Sequence, residues 1–567
     1  MNRINRGREF RKTVAGLSAN QERKRVAEEK YRLRRAAVKQ WRWRTFRLPW
    51  TTFVVVLTSV PYVFNWLATP AGYHYTWIVP PYPEDSFGYM AWAQQAARGA
   101  WLFKIKYTAL PHGAFLFHPF FLLCGWISAI LSCDIAIIFF VAKILGTGLF
   151  LVTFYRYIDF LGLNKLQATA ASVLVGVSSG LGGIFAWAGW LNHSSLPPTD
   201  LWMPEVSTFF ALLWNPLFPF SLTLMLLTIY WLDRGMRDER AGDFWFSGLA
   251  TGVMILIHPY ALPLIFTLAI GVTIVRKRRQ SIGYLFRYVL ATLPFAIYVF
   301  LLARLNPLVA RHSIVGVMRS PPLMMYLYGF GVPILLAVGG LIVGRWTLIT
   351  RYWHIIVWFF LSLAFAYLPF WFQRKLVFGA HIPLCILAAV GFDALLAKCE
   401  RTRRRWILIG TAIILLPLVA ATPVYLIVSQ RAKVQANADG AYFLSDDIVE
   451  GLNFLQRASK PNEVVFASPE TSRLIPAISG NTTVWGHWAM SVDRKDRDKW
   501  LENLFANVSD ENRSREFWSN DIRFIFADGA LKQWLERSPF GWGAILRDAR
   551  KVFENRSVVI YEQQGTS

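Results

Sequence analysis

The side chains equipped for chemistry fall in a few short stretches. Pro80-Pro81-Tyr82-Pro83-Glu84-Asp85 sets two carboxylates side by side on a Pro-rich loop, directly after the first long apolar run, Trp50 to Leu67. A carboxylate at the edge of a membrane crossing holds its charge without the cost it carries inside hydrocarbon, so it is placed to take a proton. Tyr89 and Tyr107 follow, then a second acidic stretch with Asp200 and Glu205, then His258 before Pro259. The cations come later, at Arg311, His312, Arg319 and the pair Arg374-Lys375. Early carboxylates and late cations suit a reaction in which a base takes a proton from an acceptor hydroxyl while cations receive a departing phosphate.

Each of these residues also has a plainer reading. Glu84 and Asp85 are solvated loop charges, or Asp200 caps a helix that starts near Glu205. His258 bonds a carbonyl freed by the proline break, and Arg374 and Lys375 anchor a helix end to lipid headgroups. His487, in Gly486-His487-Trp488, reads as a turn residue. The sequence has no Gly-rich phosphate loop, no nucleophile elbow and no His-Glu-x-x-His. Cys124, Cys133, Cys385 and Cys399 lie in or beside apolar runs at no metal-ligand spacing, so neither disulfides nor a zinc site is expected. A divalent cation shared by Asp85 and Glu205 stays open, since two carboxylates are too few to assign one, and no cofactor is required.

The elements that must position these groups follow from composition. The 567 residues are 54% hydrophobic and 17% charged, with 25 Trp and 43 Phe, more apolar surface than one soluble core can hide. The chain is therefore read as an α-helical polytopic membrane protein. Its net charge of +25 is concentrated in a leader, residues 1–47, that holds 16 Lys or Arg against 4 Glu, and in clusters at Arg276 to Arg279 and Arg401 to Arg405. Each cluster borders an apolar run, the positive-inside pattern, which places the N-terminus in the cytoplasm and argues against nucleic acid as a partner. Candidate crossings are 50–67, 115–132, 135–157, 166–189, 208–231, 244–275, 284–303, 327–344, 354–372, 377–397 and 406–428. With 244–275 hinged at His258-Pro259 and 115–132 re-entrant, they give about 11 to 13 membrane helices at the ~20 residues each requires. The first outer loop is 68–114, residues 429–444 read as a polar linker, and 445–567 as a small extracytoplasmic α/β domain. In that domain Asp446 to Arg457 and Lys495 to Asn507 are helical, and Glu463 to Ala467, Ile522 to Ala527 and Ser557 to Tyr561 are strands.

Asp85, Tyr89 and Ala96-Ala97-Arg98-Gly99 after the first membrane helix resemble the first outer loop of GT-C type integral membrane glycosyltransferases. So do Pro198-Thr199-Asp200 with Pro204-Glu205, Asn215-Pro216-Leu217-Phe218, Gly252 through His258-Pro259, and Arg374 with the run to Gly391. The tail motifs Pro469-Glu470-Thr471, Ser479-Gly480 and Trp485-Gly486-His487 are similar to the exported domain of bacterial members, so the likeness covers about residues 48 to 565. It implies an inverting enzyme of the inner membrane that moves a sugar from a polyprenyl-phosphate carrier to a lipid, glycan or protein acceptor on the outer face. In it, Asp85 is the catalytic base with Glu84 beside it, and Arg374 meets the carrier phosphate. Asp200 and Glu205 match a second acidic patch, with Glu205 expected among the catalytic carboxylates and Asp200 at the substrate, and the outer-loop residues Tyr89, Tyr107, His258, Arg311, His312 and Lys375 are expected to line the substrate. The Glu-Asp pair departs from the single or paired Asp of many relatives, so which carboxylate acts is open. A secondary transporter or flippase is the alternative, since it would also be polytopic with Gly- and Pro-broken helices. A single cavity shared by Asp85, Glu205 and Arg374 favours the transferase.

Overall fold

The computed structural model describes residues 43–193, 196–276, 281–400, 403–437, 440–537 and 539–564. The basic leader up to residue 42, Lys277 to Arg279 and Arg401 lie outside the described residues. By internal packing the chain divides into two units, Met1–Leu57 and Thr58–Ser567, and everything described below except the first half of the first helix lies in the second.

The helix α1 (Leu48–Leu67) leads into a loop that holds the strand β1 (Tyr73–Tyr75) and α2 (Pro83–Ala97). The membrane part continues through α3 (Pro119–Leu131), α4 (Ile135–Phe160), α5 (Lys165–Val177), α6 (Gly182–Trp187), α7 (Thr208–Trp214) and α8 (Leu217–Arg237). It ends with α9 (Ala241–Ile257), α10 (Leu262–Arg276), α11 (Ser281–Leu305), α12 (Pro307–Val315), α13 (Leu323–Phe365), α14 (His381–Leu396) and α15 (Arg404–Ala436). Seven helical stretches among the described residues are long and apolar enough to cross a membrane, and four apolar helices are shorter.

Three predicted crossings are built differently. The run 166–189 breaks between α5 and α6 at Ser178 to Leu181. A Cβ on Gly180 would lie 2.2 Å from the carbonyl oxygen of Tyr328, so only glycine lets the two backbones meet there. The run 208–231 breaks at Asn215-Pro216, where proline offers no N–H to continue the ladder and the Asn215 side chain accepts the Leu217 N–H at 2.8 Å. The helix of 377–397 begins only at His381, because Gln373–Val377 forms a tighter 3₁₀ turn. The expected break at His258-Pro259 separates α9 from α10.

The 43 residues of α13 are helical throughout, yet the rings of Phe330 and Phe359 stand 5.5 Å apart. A straight helix would hold these residues about 43 Å apart at ~1.5 Å per residue, so the segment doubles back and supplies two crossings, Leu323–Gly344 and Leu348–Phe365. Its first limb packs on α14 through glycines: a Cβ on Gly391 would meet the carbonyl oxygen of Leu336 at 2.2 Å, and one on Gly340 would meet the Gly391 Cα at 2.0 Å. Small residues let helices without a water-driven force approach closely.

The tail runs β2 (Phe443–Ser445), α16 (Asp446–Ala458), β3 (Val464–Ala467), α17 (Pro469–Ser472), α18 (Ile475–Ile478), β4 (Thr482–Thr483), α19 (Arg494–Ala506) and α20 (Asp510–Trp518). It closes with β5 (Ile522–Ala527), α21 (Gly529–Arg537), α22 (Pro539–Arg547), β6 (Ala549–Glu554) and β7 (Val559–Gln563). Five strands form one sheet in the order β4-β3-β5-β7-β6, with β4, β3 and β5 parallel. Residues 429–444 do not form the polar linker that their composition suggests. The helix α15 continues to Ala436, and β2 pairs antiparallel with β1, Tyr75 opposite Phe443. Phe87, Ala93 and Ala96 of α2 share one buried cluster with Leu452 and Leu455 of α16 and with Val465, Phe524 and Phe526 of the sheet. The tail is thus fused to the first loop through a common core.

Gly391→Leu should lower stability by about 3 kcal/mol, read as an earlier melting transition in detergent, because neither α13 nor α14 has room for a side chain there. Gly148→Ala, which faces open space, should not destabilise the protein.

Candidate active site

Glu84 and Asp85 do not lie on a loop. Pro83 opens α2, and both carboxylates occupy its first turn, where the unpaired N–H groups of a helix end favour negative charge. A cavity of about 380 Å³ opens beside them, walled by Tyr82, Glu84, Asp85, Pro204, Glu205 and Trp214, and closed by Arg374, Lys375 and Trp488. One hollow therefore gathers Asp85, Glu205 and Arg374 from segments far apart in sequence.

Charge pairing within this hollow is selective. Lys375 Nζ lies 3.3 Å from Glu205 Oε1, both largely buried. Arg473 Nη1 lies 3.2 Å from Glu84 Oε1, and Tyr107 fixes that arginine's backbone by donating its hydroxyl to the Arg473 carbonyl at 3.1 Å. Burial alone would raise the Glu205 carboxyl, but Lys375 and Arg374 outweigh it and hold the group below its usual range. Two carboxylates are thus neutralised by cations.

Asp85 is treated otherwise. Its Oδ1 accepts the indole N–H of Trp488 at 2.8 Å and stands 3.5 Å from His487 Nε2, too long for a good hydrogen bond. The Nδ1 of His487 receives the backbone N–H groups of Ala489 and Met490 at 3.0 and 3.1 Å, so its lone pair is used and the proton sits on Nε2, facing Asp85. Burial and the nearby His312 push His487 down to about 3, which keeps the ring neutral. The Asp85 carboxyl, 17% exposed, is raised by burial and by Glu84, against Lys375, the Trp488 hydrogen bond and Arg374. Asp85 is therefore held by neutral donors through one oxygen.

Arg374 is the matching cation. Its guanidinium lies over the Trp202 ring at 5.2 Å, and its Nε is buried with no hydrogen-bond partner among the described residues. A buried, unsatisfied guanidinium donor at a cavity wall is what a phosphate oxygen would complete.

The other predicted residues fall at varying distance from this centre. Tyr89 lines a separate, much smaller hollow with Tyr62, Ser86, Lys143 and Asn215. His258 is buried and does not wall the cavity, its ring 4.5 Å from that of Phe378. His312 accepts no role at the cavity wall but bonds the Ala489 carbonyl at 3.0 Å and so supports the loop that carries Trp488. Arg311 is exposed and does not wall the cavity. Asp200 does not join Glu205: it is fully buried, and its Oδ2 accepts the Gly182 N–H at 3.3 Å at the start of α6. Asp200 does not cap the helix that follows Glu205, since Ser207 does so by accepting the Phe210 N–H. Among the described residues no three His, Cys, Asp or Glu side chains form a metal-ligating group, and the two carboxylates nearest Asp85 already hold cations.

Sequence reading missed Trp488, His487 and Arg473, which reach the hollow from the tail. The one signal available was Gly486 between two tryptophans; its φ of 128° turns the chain sharply enough to present Trp488.

No family model and no curated relative matches the sequence. Solved structures do match. The apo oligosaccharyltransferase of Archaeoglobus fulgidus superposes with a TM-score of 0.53 at 11% identity, over 92% of this chain and 75% of that one. The oligosaccharyltransferase AglB from Archaeoglobus fulgidus, in complex with an inhibitory peptide and a dolichol-phosphate, gives 0.50 at 10% identity over the same shares. The arabinofuranosyltransferase AftD from Mycobacteria gives 0.51 at 14% identity, over 91% of this chain and 40% of that longer one. The chain has the GT-C membrane glycosyltransferase fold. Identities this low establish the fold and leave the chemistry to the side chains described above.

Lys375→Met strands the buried Glu205 charge and should cost about 3 kcal/mol at neutral pH. Glu205 is lowered in the folded protein, so the pair's contribution is full above the ordinary carboxylate pKa and lost as pH falls through the folded value. Melting curves of wild type and Lys375→Met should therefore converge as the pH is lowered, and Glu205→Gln added to Lys375→Met should recover most of the loss.

Proposed function

We propose that this protein is an inverting glycosyltransferase that moves a sugar from a polyprenyl-phosphate donor to an acceptor hydroxyl on the outer face of the inner membrane. The observation that carries the reading is the pairing pattern: one cavity holds a carboxylate and a guanidinium that both lack a counter-charge at hydrogen-bond distance among the described residues, while their neighbours are neutralised.

The reaction needs two groups at opposite ends of the anomeric carbon. Asp85, tethered by Oδ1, has Oδ2 available to take the proton of the acceptor hydroxyl as its oxygen bonds the anomeric carbon. The bond from that carbon to the phosphate oxygen breaks, and its electron pair leaves with the phosphate. Arg374 meets this charge through its unpartnered Nε, and Lys375 adds a second cation behind Glu205. Attack on the face opposite the leaving group inverts the centre. Glu205 and Glu84 position cations and need not touch the sugar. No step requires a metal ion or cofactor. The dolichol-phosphate in the AglB complex is the class of lipid carrier that this reading expects to leave once the sugar is transferred, and the glycosyltransferase neighbours do not favour the transporter alternative.

Asp85→Asn should lower turnover at least about 1000-fold with the melting temperature unchanged, since catalytic-base losses of 10²–10⁴ are typical; turnover within tenfold of wild type would exclude the assignment. The raised Asp85 carboxyl places the acid limb of the pH-rate profile above the ordinary carboxylate range. Trp488→Phe removes a donor that stabilises the charged form, so this limb should move up by about one unit, the size of a hydrogen bond to a charge. The assay is transfer from a panel of prenyl-phosphate sugars, followed by mass spectrometry.

A further inference from the structure

We infer that the small hollow sharing the Trp214 wall with the reaction cavity is a site for one monatomic anion, a halide. It stands apart from the transferase reading, and its test uses no sugar.

A charge that the proposed reaction leaves unused marks the place. Lys143 lies in the first half of α4 with 1% of its surface exposed. Its Nζ donates to the Thr58 carbonyl of α1 at 2.6 Å and to Ser59 Oγ at 3.2 Å, while Thr58 Oγ1 at 3.5 Å is at the limit of a bond. The ammonium also lies over the rings of Tyr62 at 4.8 Å and Phe140 at 5.5 Å. All of these neighbours are neutral. Lys143 makes no ion pair among the described residues, and an ammonium buried without a counter-charge carries a penalty of several kcal/mol.

The hollow beside it is walled by unpaired donors. It measures about 20 Å³ and is lined by Lys143, Ser86, Tyr89, Trp214 and Asn215. Trp214 is 5% exposed, and its indole N–H has no partner among the described residues. Asn215 is 2% exposed, and its Nδ2, beside the Tyr89 hydroxyl, meets no acceptor at hydrogen-bond geometry there. The acceptor end of the same amide is spent on the Leu217 N–H at 2.8 Å, and the Tyr62 hydroxyl is spent on the Trp214 carbonyl at 2.6 Å. Ammonium, indole N–H and amide NH₂ can only donate.

Room and polarity together choose the ligand. A void of about 20 Å³ has the space of one water-sized occupant, which excludes a sugar, a phosphate or a lipid headgroup. A water would fit, but it brings two hydrogens of its own to donors that lack acceptors, and it leaves the Lys143 charge unbalanced. A halide accepts from every side and supplies the missing charge. The place matters as well. Trp214 walls both hollows, and Ser86 follows Asp85 in the first turn of α2, so a bound anion ties α1, α2 and α4 to the helix break at Asn215-Pro216.

Full-length protein purified in detergent would be exchanged into sodium gluconate and titrated with sodium chloride or bromide at constant ionic strength. The melting temperature should rise with either halide and level off, and the chloride NMR line should broaden in proportion to added protein. Lys143→Met should abolish both responses. Trp214→Phe keeps a ring and removes the N–H, so it should weaken halide binding about tenfold or more, the size of a hydrogen bond to a charge; it decides the question where Lys143→Met does not fold. Arg374→Gln should leave both responses intact, which separates this site from the cations of the reaction cavity. No halide response in the wild type overturns the site, as does a response unchanged by Lys143→Met or Trp214→Phe, or one lost with Arg374→Gln. A halide response in a protein that transfers no sugar keeps the site and removes the transferase reading, and transfer without a halide response does the reverse.

Discussion

Three carboxylates crowd one hollow, and only two of them are given a cation. That asymmetry governs the site. Like charges this close cannot all ionise cheaply, and the protein resolves the conflict by pairing Glu205 with Lys375 and Glu84 with Arg473 while supplying Asp85 with the neutral N–H of Trp488. A neutral donor orients a carboxylate without quenching its basicity as fully as a salt bridge would. Among the described residues the guanidinium of Arg374 has no carboxylate at bonding distance, and its buried Nε has no hydrogen-bond partner.

Two of those partners come from the tail. Arg473 and Trp488 stand 389 and 403 residues from the carboxylates they touch, and they stay in place because α2 and the sheet domain bury their side chains in one cluster. Gln94 and Arg98 add hydrogen bonds to the carbonyls of Ile478 and Ser479, and Lys106 adds one to Pro461. The rigid support required for catalytic groups is thus supplied by a core that runs from the sheet of the tail through α2 into the first turns of α3 and α4.

Much of this was legible in the chain. Long apolar runs and basic borders give a helical membrane protein because hydrocarbon tolerates only closed backbone ladders. The carboxylate pair after the first run and the late Arg374-Lys375 pair are unusual at such positions, and the structure brings them together. What failed has a common cause. The helix breaks at Gly180 and Asn215-Pro216 and the continuity of α15 to Ala436 are set by neighbours, since the clash that demands Gly180 comes from Tyr328, 148 residues on. Asp200 and Glu205 are five residues apart yet point into different environments, a difference that spacing cannot express. His487 looked like a turn residue because its partners, Asp85 on one side and two backbone N–H groups on the other, are fixed only by tertiary contact.

The strand pair formed by Tyr73–Tyr75 and Phe443–Ser445 has a consequence for how the protein is made. The first loop leaves the ribosome early, but its partner strand and the core that covers Phe87 emerge some 370 residues later, about twenty seconds to a minute at translation speeds of ~5–20 residues per second. During that interval a half-built apolar surface waits beside the bilayer. A nascent chain of this design therefore depends on what shelters its loop until the last hundred residues arrive.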